Sequence, residues 1–112
     1  MDLKKLRYMI ALAEEGSFAK ASKRLHLTQP ALTRSIQVLE QEMGITLFNR
    51  HSAGVRLTVA GREIYTGSKN LLRSANGLRR EAELIRDARQ GKLALGVGPV
   101  PAQLILSDVL AK

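Results

Sequence analysis

Cysteine and tryptophan are absent from the 112 residues, and phenylalanine and tyrosine occur only twice each. Without thiols there is neither a disulfide frame nor a thiolate metal site, which fits a protein kept in a reducing compartment. An aromatic content of 4% makes any core largely aliphatic, while 45% hydrophobic residues argue against a disordered chain. The two histidines, His26 and His51, stand isolated, with no Asp/Glu-His-Cys cluster around them, so a metal site has no basis. Each reads as a turn residue, with a phosphate contact by His51 as the alternative. No long apolar run follows Met1-Asp2-Leu3-Lys4-Lys5, which predicts neither a secretory signal nor a membrane span, hence a soluble cytoplasmic protein. Acidic residues are also scarce. Lys+Arg number 18 against 10 Asp+Glu, and the resulting charge of +8 favours a polyanionic partner. Nucleic acid competes there with solubility and with anionic lipid.

What is present is mostly patterned helix. Asp2 is placed to cap a first helix over about 3–15, with Leu3, Leu6, Met9, Ile10 and Ala13 on one face and Gly16 ending it. Ser17 caps a second helix ending near Leu25 and burying Phe18, Ala21 and Leu25. His26-Leu27 form a turn, and Thr28 caps a third helix through its hydroxyl. Leu27 and Leu32 occupy the two positions of a hydrophobic staple, which fixes the angle at which that helix leaves the turn. Leu32, Ile36, Leu39 and Met43 share its inner face. Pro30, Arg34, Gln37 and Gln41 fall opposite, with Thr33 on the flank. This outer face is rich in hydrogen-bonding groups and lacks an acid until Glu40 and Glu42. A helix pair of this kind is a common device for presenting side chains to base edges in the DNA major groove. Gly44 closes it.

Ile45-Thr46-Leu47-Phe48 and Val55-Arg56-Leu57 predict a two-stranded hairpin around His51-Ser52-Ala53-Gly54, with Arg50 and Arg56 as its cations. After a helix-turn-helix such a hairpin is a wing, and a basic wing lies along the phosphate backbone or dips into the minor groove. A simple capping hairpin is the alternative. Thr58 then caps a long helix running to about Arg89. Within it Ile64, Leu71, Leu78 and Ile85 recur every seventh residue, interleaved with Ser68, Ala75, Ala82 and Arg89. A seam of large and mostly small residues predicts packing on a second copy, against the alternative of a surface helix lying on its own domain. Gln90-Gly91 ends the helix. Lys92 to Gly98 reads as a strand and Ala102 to Ala111 as a helix, a lone strand and helix that suggest the start of a truncated α/β domain.

Catalysis finds no support. Gly96-Val97-Gly98 lacks the third glycine of a dinucleotide loop, Pro101 standing in its place. Ser17, Ser22 and Thr28 have no base in a motif beside them and read as caps or backbone contacts. No catalytic, metal-binding or cofactor-binding residue is therefore expected.

The chain resembles the N-terminal portion of LysR-type transcriptional regulators. The resemblance covers nearly all of it, through Leu3-Lys4-Lys5-Leu6-Arg7-Tyr8, Glu15-Gly16-Ser17-Phe18, the run from Ala21 to Thr33, Leu39-Glu40, the run from Gly44 to Arg50, and Leu57-Thr58-Val59-Ala60-Gly61. It implies a mainly α fold: a winged helix-turn-helix of three helices plus a two-stranded wing, followed by a long linker helix that dimerises antiparallel. The domains then run 1–57 for DNA binding, 58–90 for the linker and dimerisation helix, and 91–112 for the start of an effector-binding domain. It further implies sequence-specific binding of double-stranded DNA by a homodimer, at an imperfect dyad-symmetric site, for control of transcription. A tetramer at full length, a small-molecule effector held by the full-length protein, and action at the bacterial nucleoid belong to the same expectation. Residues matching Gln29, Pro30, Thr33 and Arg34 contact DNA in relatives, and the one matching Arg50 lies by the wing. Relatives often carry serine where Thr28 and Thr33 stand, and a further arginine close to position 53, where this chain has Ala53.

The candidate DNA-contacting set is thus Thr28, Gln29, Pro30, Thr33, Arg34 and Gln37 with Arg50 and Arg56. The candidate dimerisation set is Ile64, Leu71, Ala75, Leu78, Ala82 and Ile85. Two other classes of function fit the same pattern. One is an interaction module in which the long helix pairs with a full-length regulator and DNA binding is incidental. The other is an architectural binder that bends DNA without selecting sequence.

Overall fold

In a computed structural model, residues 1–91 are described. The strand and helix expected within 92–112 lie outside the described residues. The elements in order are α1 (Leu3–Glu15), α2 (Phe18–Leu25), α3 (Gln29–Met43), β1 (Phe48–His51), β2 (Gly54–Leu57) and α4 (Val59–Arg89). Residues 1–72 form one compact unit, and the described residues from 73 on belong to a second. The three short helices, the hairpin and the start of α4 all belong to the first.

Each helix of the first unit starts on a side-chain oxygen that accepts a backbone N–H. Asp2 Oδ1 accepts from Lys5 N at 2.8 Å, Ser17 Oγ from Lys20 N at 3.3 Å, and Thr28 Oγ1 from Ala31 N at 3.3 Å. These caps satisfy donors that the first turn leaves without helical partners, each worth about 1 kcal/mol. The helices end on left-handed residues, Gly16, His26 and Gly44. At the turn between α2 and α3, His26 N donates to Lys23 O at 3.3 Å and Leu27 N to Ser22 O at 2.9 Å. Those two bonds close α2 and aim Leu27 inward, ahead of the Thr28 cap.

The core is aliphatic, as the composition requires. Leu6, Met9, Leu12, Leu32, Leu39 and Leu47 are fully buried, with Ala21, Ile36 and Val55 around them. Each large side chain withdrawn from water contributes about 1.5–3 kcal/mol before ordering costs. Leu3, Tyr8, Phe18, Leu25, Leu27, Met43, Ile45, Phe48, Leu57, Ile64 and Tyr65 pack on this cluster from its edges.

The hairpin departs from the sequence expectation. Its first strand is Phe48–His51 rather than Ile45–Phe48, and its second gains Gly54. The apolar run Ile45–Leu47 is instead a connector, because Leu47 is needed in the core and its backbone is bonded elsewhere. Glu40 Oε2 accepts from Leu47 N at 2.6 Å and from Phe48 N at 3.3 Å, and Thr58 N donates to Leu47 O at 2.9 Å. The strands pair antiparallel, Phe48 with Leu57, Asn49 with Arg56, Arg50 with Val55 and His51 with Gly54. The hairpin docks backbone to backbone on the turn between α1 and α2, where Val55 N donates to Gly16 O at 3.0 Å. Gly54, at φ +138, lies so close that a Cβ there would collide with the Gly16 carbonyl oxygen. At the start of α4, Thr58 Oγ1 accepts from Gly61 N at 2.8 Å and donates to Thr46 O at 2.6 Å. Gly61 is required there for space, since a Cβ would run into the Leu47 carbonyl.

Candidate nucleic-acid interface

The helix α3 exposes one face and buries the other. Leu32, Ile36 and Leu39 are buried, whereas Gln29, Pro30, Arg34, Gln37 and Gln41 are exposed and Thr33 is half-buried on the flank. Thr28 is exposed, its oxygen engaged as the cap. Pro30 lies within the first turn, where its missing N–H costs nothing. The unfilled N–H groups of this turn and the helix dipole together favour an anion at that end.

Both acids later in α3 are tied away from this end. Glu40 holds the backbone N–H groups of Leu47 and Phe48. Glu42 accepts from the Met1 ammonium at 2.8 Å and from Lys5 Nζ at 2.9 Å. These bonds, the ammonium's first and Lys5's second, hold the Glu42 carboxyl below its ordinary pKa. From Gln29 to Gln37 the exposed surface is therefore neutral or positive.

Beside it the hairpin forms one wall of a cleft of about 110 Å³ lined by Phe18, Thr33, Gln37, Glu40 and Arg50 among others. The Arg50 guanidinium lies over the Phe18 ring, 4.9 Å from its centroid. Thus Thr33 and Gln37 of α3 share one cleft with Arg50, while Arg34 lies outside it on the same helix. Arg56, paired with Asn49, is on the opposite face of the hairpin. At the hairpin turn, His51 Nδ1 accepts from Ala53 N at 3.2 Å, a turn contact of the kind its position suggested.

A further cluster braces α1, α2 and α4. Glu14 pairs with Arg24 at 2.9 Å, accepts from Tyr65 Oη at 2.9 Å and lies 3.8 Å from Lys69. Arg24 also reaches Glu15 at 3.2 Å. The Arg24 hydrogen bond, followed by that of Tyr65, holds the Glu14 carboxyl below its ordinary pKa, and the hydrogen bonds to Glu14 and then Glu15 raise that of Arg24. Sequence reading missed this cluster and the Glu40 anchor. Both join residues distant in the chain through side chains that look like ordinary surface charge.

Of the candidate dimerisation residues, Ile64 is half-buried against the core of its own unit, and its neighbour Ser68 on the seam is buried. Leu71 and Leu78 are 45% and 67% exposed. Ala75 and Ile85 are half-buried and Ala82 is exposed. Among the described residues no group of three His, Cys, Asp or Glu side chains is arranged to hold a metal, and no helix is long and apolar enough to cross a membrane.

Three helices with a paired wing and a free polar face on the third define a winged helix-turn-helix protein. Residues 3–62 match the family of bacterial regulatory helix-turn-helix proteins of the lysR type, and the chain belongs to that family. It is 39% identical over 111 residues to the SDS degradation transcriptional activation protein of Pseudomonas sp. (strain ATCC 19151), covering 99% of this chain and 36% of that protein. To the HTH-type transcriptional regulator ClcR of Pseudomonas putida it is 40% identical over 115 residues, covering 96% of this chain and 39% of ClcR. The chain therefore spans less than half the length of these relatives, which are transcriptional regulators rather than enzymes. Among solved structures, the BenM DBD/benA site 1 DNA complex superimposes with a TM-score of 0.74 at 40% identity, over 77% of this chain and 97% of that one. The CbnR DBD–DNA complex gives 0.68 at 40% identity, over 74% and 98%.

Proposed function

We propose that the chain binds duplex DNA sequence-selectively as a homodimer and controls transcription from the site it occupies. The observation that carries this reading is the acid-free outer face of α3 from Gln29 to Gln37, set beside the Arg50 guanidinium. The DNA complexes of BenM and CbnR domains of similar structure support it. Lys and Arg side chains near the turn and hairpin, with the N-terminus of α3, supply sequence-independent contacts to phosphate. Arg34 with Gln29, Thr33 and Gln37 supplies discrimination, because guanidinium and amide groups match the donor and acceptor patterns of base edges. Thr28 and Pro30 set the start of that helix against the backbone, and Arg56 adds a wing contact.

The second copy joins along α4, where Leu71 and Leu78 remain uncovered and Ala75, Ala82 and Ile85 continue the seam. Two recognition helices related by a two-fold axis then require a site with imperfect dyad symmetry. In the intact protein a small-molecule effector is bound by a separate C-terminal domain, through which tetramers form, and the protein acts in the cytoplasm on nucleoid DNA.

Selection of bound sites from a random duplex pool tests specificity, symmetry and half-site spacing together. A consensus with two related half-sites is expected, and a pool that returns no consensus would overturn selective binding. On the selected site, Arg34→Ala should cost about 1–3 kcal/mol, with a smaller loss on random duplex.

A further inference from the structure

Arg50 and Arg56 look equivalent in the sequence, but the hairpin register separates them. Arg50 pairs with Val55, which is 8% exposed, so Arg50 lies on the side of the hairpin that faces the domain. Arg56 pairs with exposed Asn49 on the other side. Arg50 itself remains exposed. Here the cation sits over the face of Phe18, the first residue of α2, and has no ion pair among the described residues. Glu40 lines the same cleft, but its carboxylate is taken by the Leu47 and Phe48 N–H groups.

An aromatic face attracts a guanidinium through the ring quadrupole while leaving its in-plane N–H donors open. It therefore restrains the long side chain without consuming its hydrogen bonds. The cleft that Arg50 shares with Thr33 and Gln37 opens beside the recognition face. We infer that Phe18 is a positioning residue, holding the Arg50 guanidinium beside α3 so that it binds a phosphate flanking the groove that α3 reads. Arg56 serves a different stretch of DNA. This inference rests on the DNA-binding reading above, and Phe18 acts only through Arg50.

A double-mutant cycle tests it, with this chain titrated against a duplex carrying a selected site and against a random-sequence duplex. Arg50→Gln should lower affinity about tenfold on both and make the salt dependence shallower by about 0.9 in log–log slope. Phe18→Leu, which keeps an apolar side chain against the core, should lose about two- to fivefold. Phe18→Tyr, which keeps the ring, should bind as wild type. The Phe18→Leu/Arg50→Gln double variant should be no weaker than Arg50→Gln alone. Losses that multiply would show Phe18 and Arg50 acting independently and overturn the inference. NMR supplies a readout that needs neither DNA nor a fully stable variant. The Arg50 δ-protons should be shifted upfield by the ring in the wild-type chain, and unshifted protons would also overturn it. Wild-type protein that binds neither duplex would instead defeat the DNA-binding reading itself.

Discussion

The helix α3 and the hairpin lie side by side, yet they are held by different kinds of information. The helix α3 is specified within its own neighbourhood. Its cap is Thr28, its staple Leu27 and Leu32, its inner stripe Leu32, Ile36 and Leu39, and its end Gly44. Each signal acts over a few residues, so helical periodicity alone separates the buried face from the free one. The hairpin has four-residue strands and is specified from outside. Gly16 takes the Val55 N–H, Glu40 takes those of Leu47 and Phe48, and Phe18 takes the Arg50 cation. The proposed DNA-reading surface thus combines an autonomous helix with a dependent wing.

The largest effect should come from the helix's buried side. Leu39 is fully buried among Leu6, Leu32 and their neighbours. Leu39→Ala should destabilise the fold by about 3 kcal/mol, within the range for leucine cavities, as a lower midpoint in urea with an unchanged slope. A loss below about 1 kcal/mol would show that the core can collapse around the gap, and that α3 is less firmly seated than its burial implies.

Next comes the closest approach of the hairpin to the domain. Gly54→Ala combines a positive φ with a collision against a backbone carbonyl that cannot swing aside, because it already accepts the Val55 N–H. The expected cost is about 2 kcal/mol. Amide exchange should localise the damage, accelerating at Val55, whose N–H docks on Gly16, and at Arg56 within the ladder, while α3 keeps its protection. Equal acceleration in both would erase the distinction between autonomous helix and dependent wing.

The sequence carried most of this architecture and misplaced the part that depends on distant partners. The caps Asp2, Ser17, Thr28 and Thr58 and the outer row Pro30, Arg34, Gln37 and Gln41 were legible, because cap and period are local physics. Composition alone starts the first strand three residues early, since Ile45-Thr46-Leu47 has the β-branched, apolar look of a strand. What moves the strand is Glu40, seven residues before Leu47, and nothing in the composition around it distinguishes it from Glu42, which pairs with Met1 and Lys5 instead. The opposed faces of Arg50 and Arg56 were hidden for the same reason. A shift of register by one residue exchanges the two sides of a strand, and only the pairing fixes that register.

Glu40 therefore offers a test of what sets the wing. Glu40→Ala leaves the N–H of Leu47, a residue wholly buried in the core, without its acceptor and should cost about 1–2 kcal/mol. Glu40→Gln keeps an oxygen in place and should recover about half of that. If both variants melt alike, the carboxylate's charge rather than its acceptor geometry holds the connector. If neither differs from wild type, Leu47 packing alone sets where β1 begins.

The smallest expected effect concerns Glu14, whose cluster braces α1, α2 and α4 through charge rather than through backbone. Its carboxyl binds a proton more weakly in the folded chain than in the unfolded one, chiefly because Arg24 and then Tyr65 hydrogen-bond to the ionised form. The stabilisation is thus complete above the ordinary carboxylate range and disappears as the pH falls through it. About a third of the Glu14 side chain and more of Arg24 remain in solvent, so screening keeps the contribution below about 1 kcal/mol. Glu14→Gln should consequently melt lower than wild type at neutral pH, and the gap should close as the pH falls below the ordinary carboxylate range and narrow in high salt. A gap that persisted in acid would mean the glutamate braces the helices by packing. The Tyr65 hydrogen bond would then outweigh the ion pair, and this junction would resemble the hairpin's neutral docking more than a charged tie.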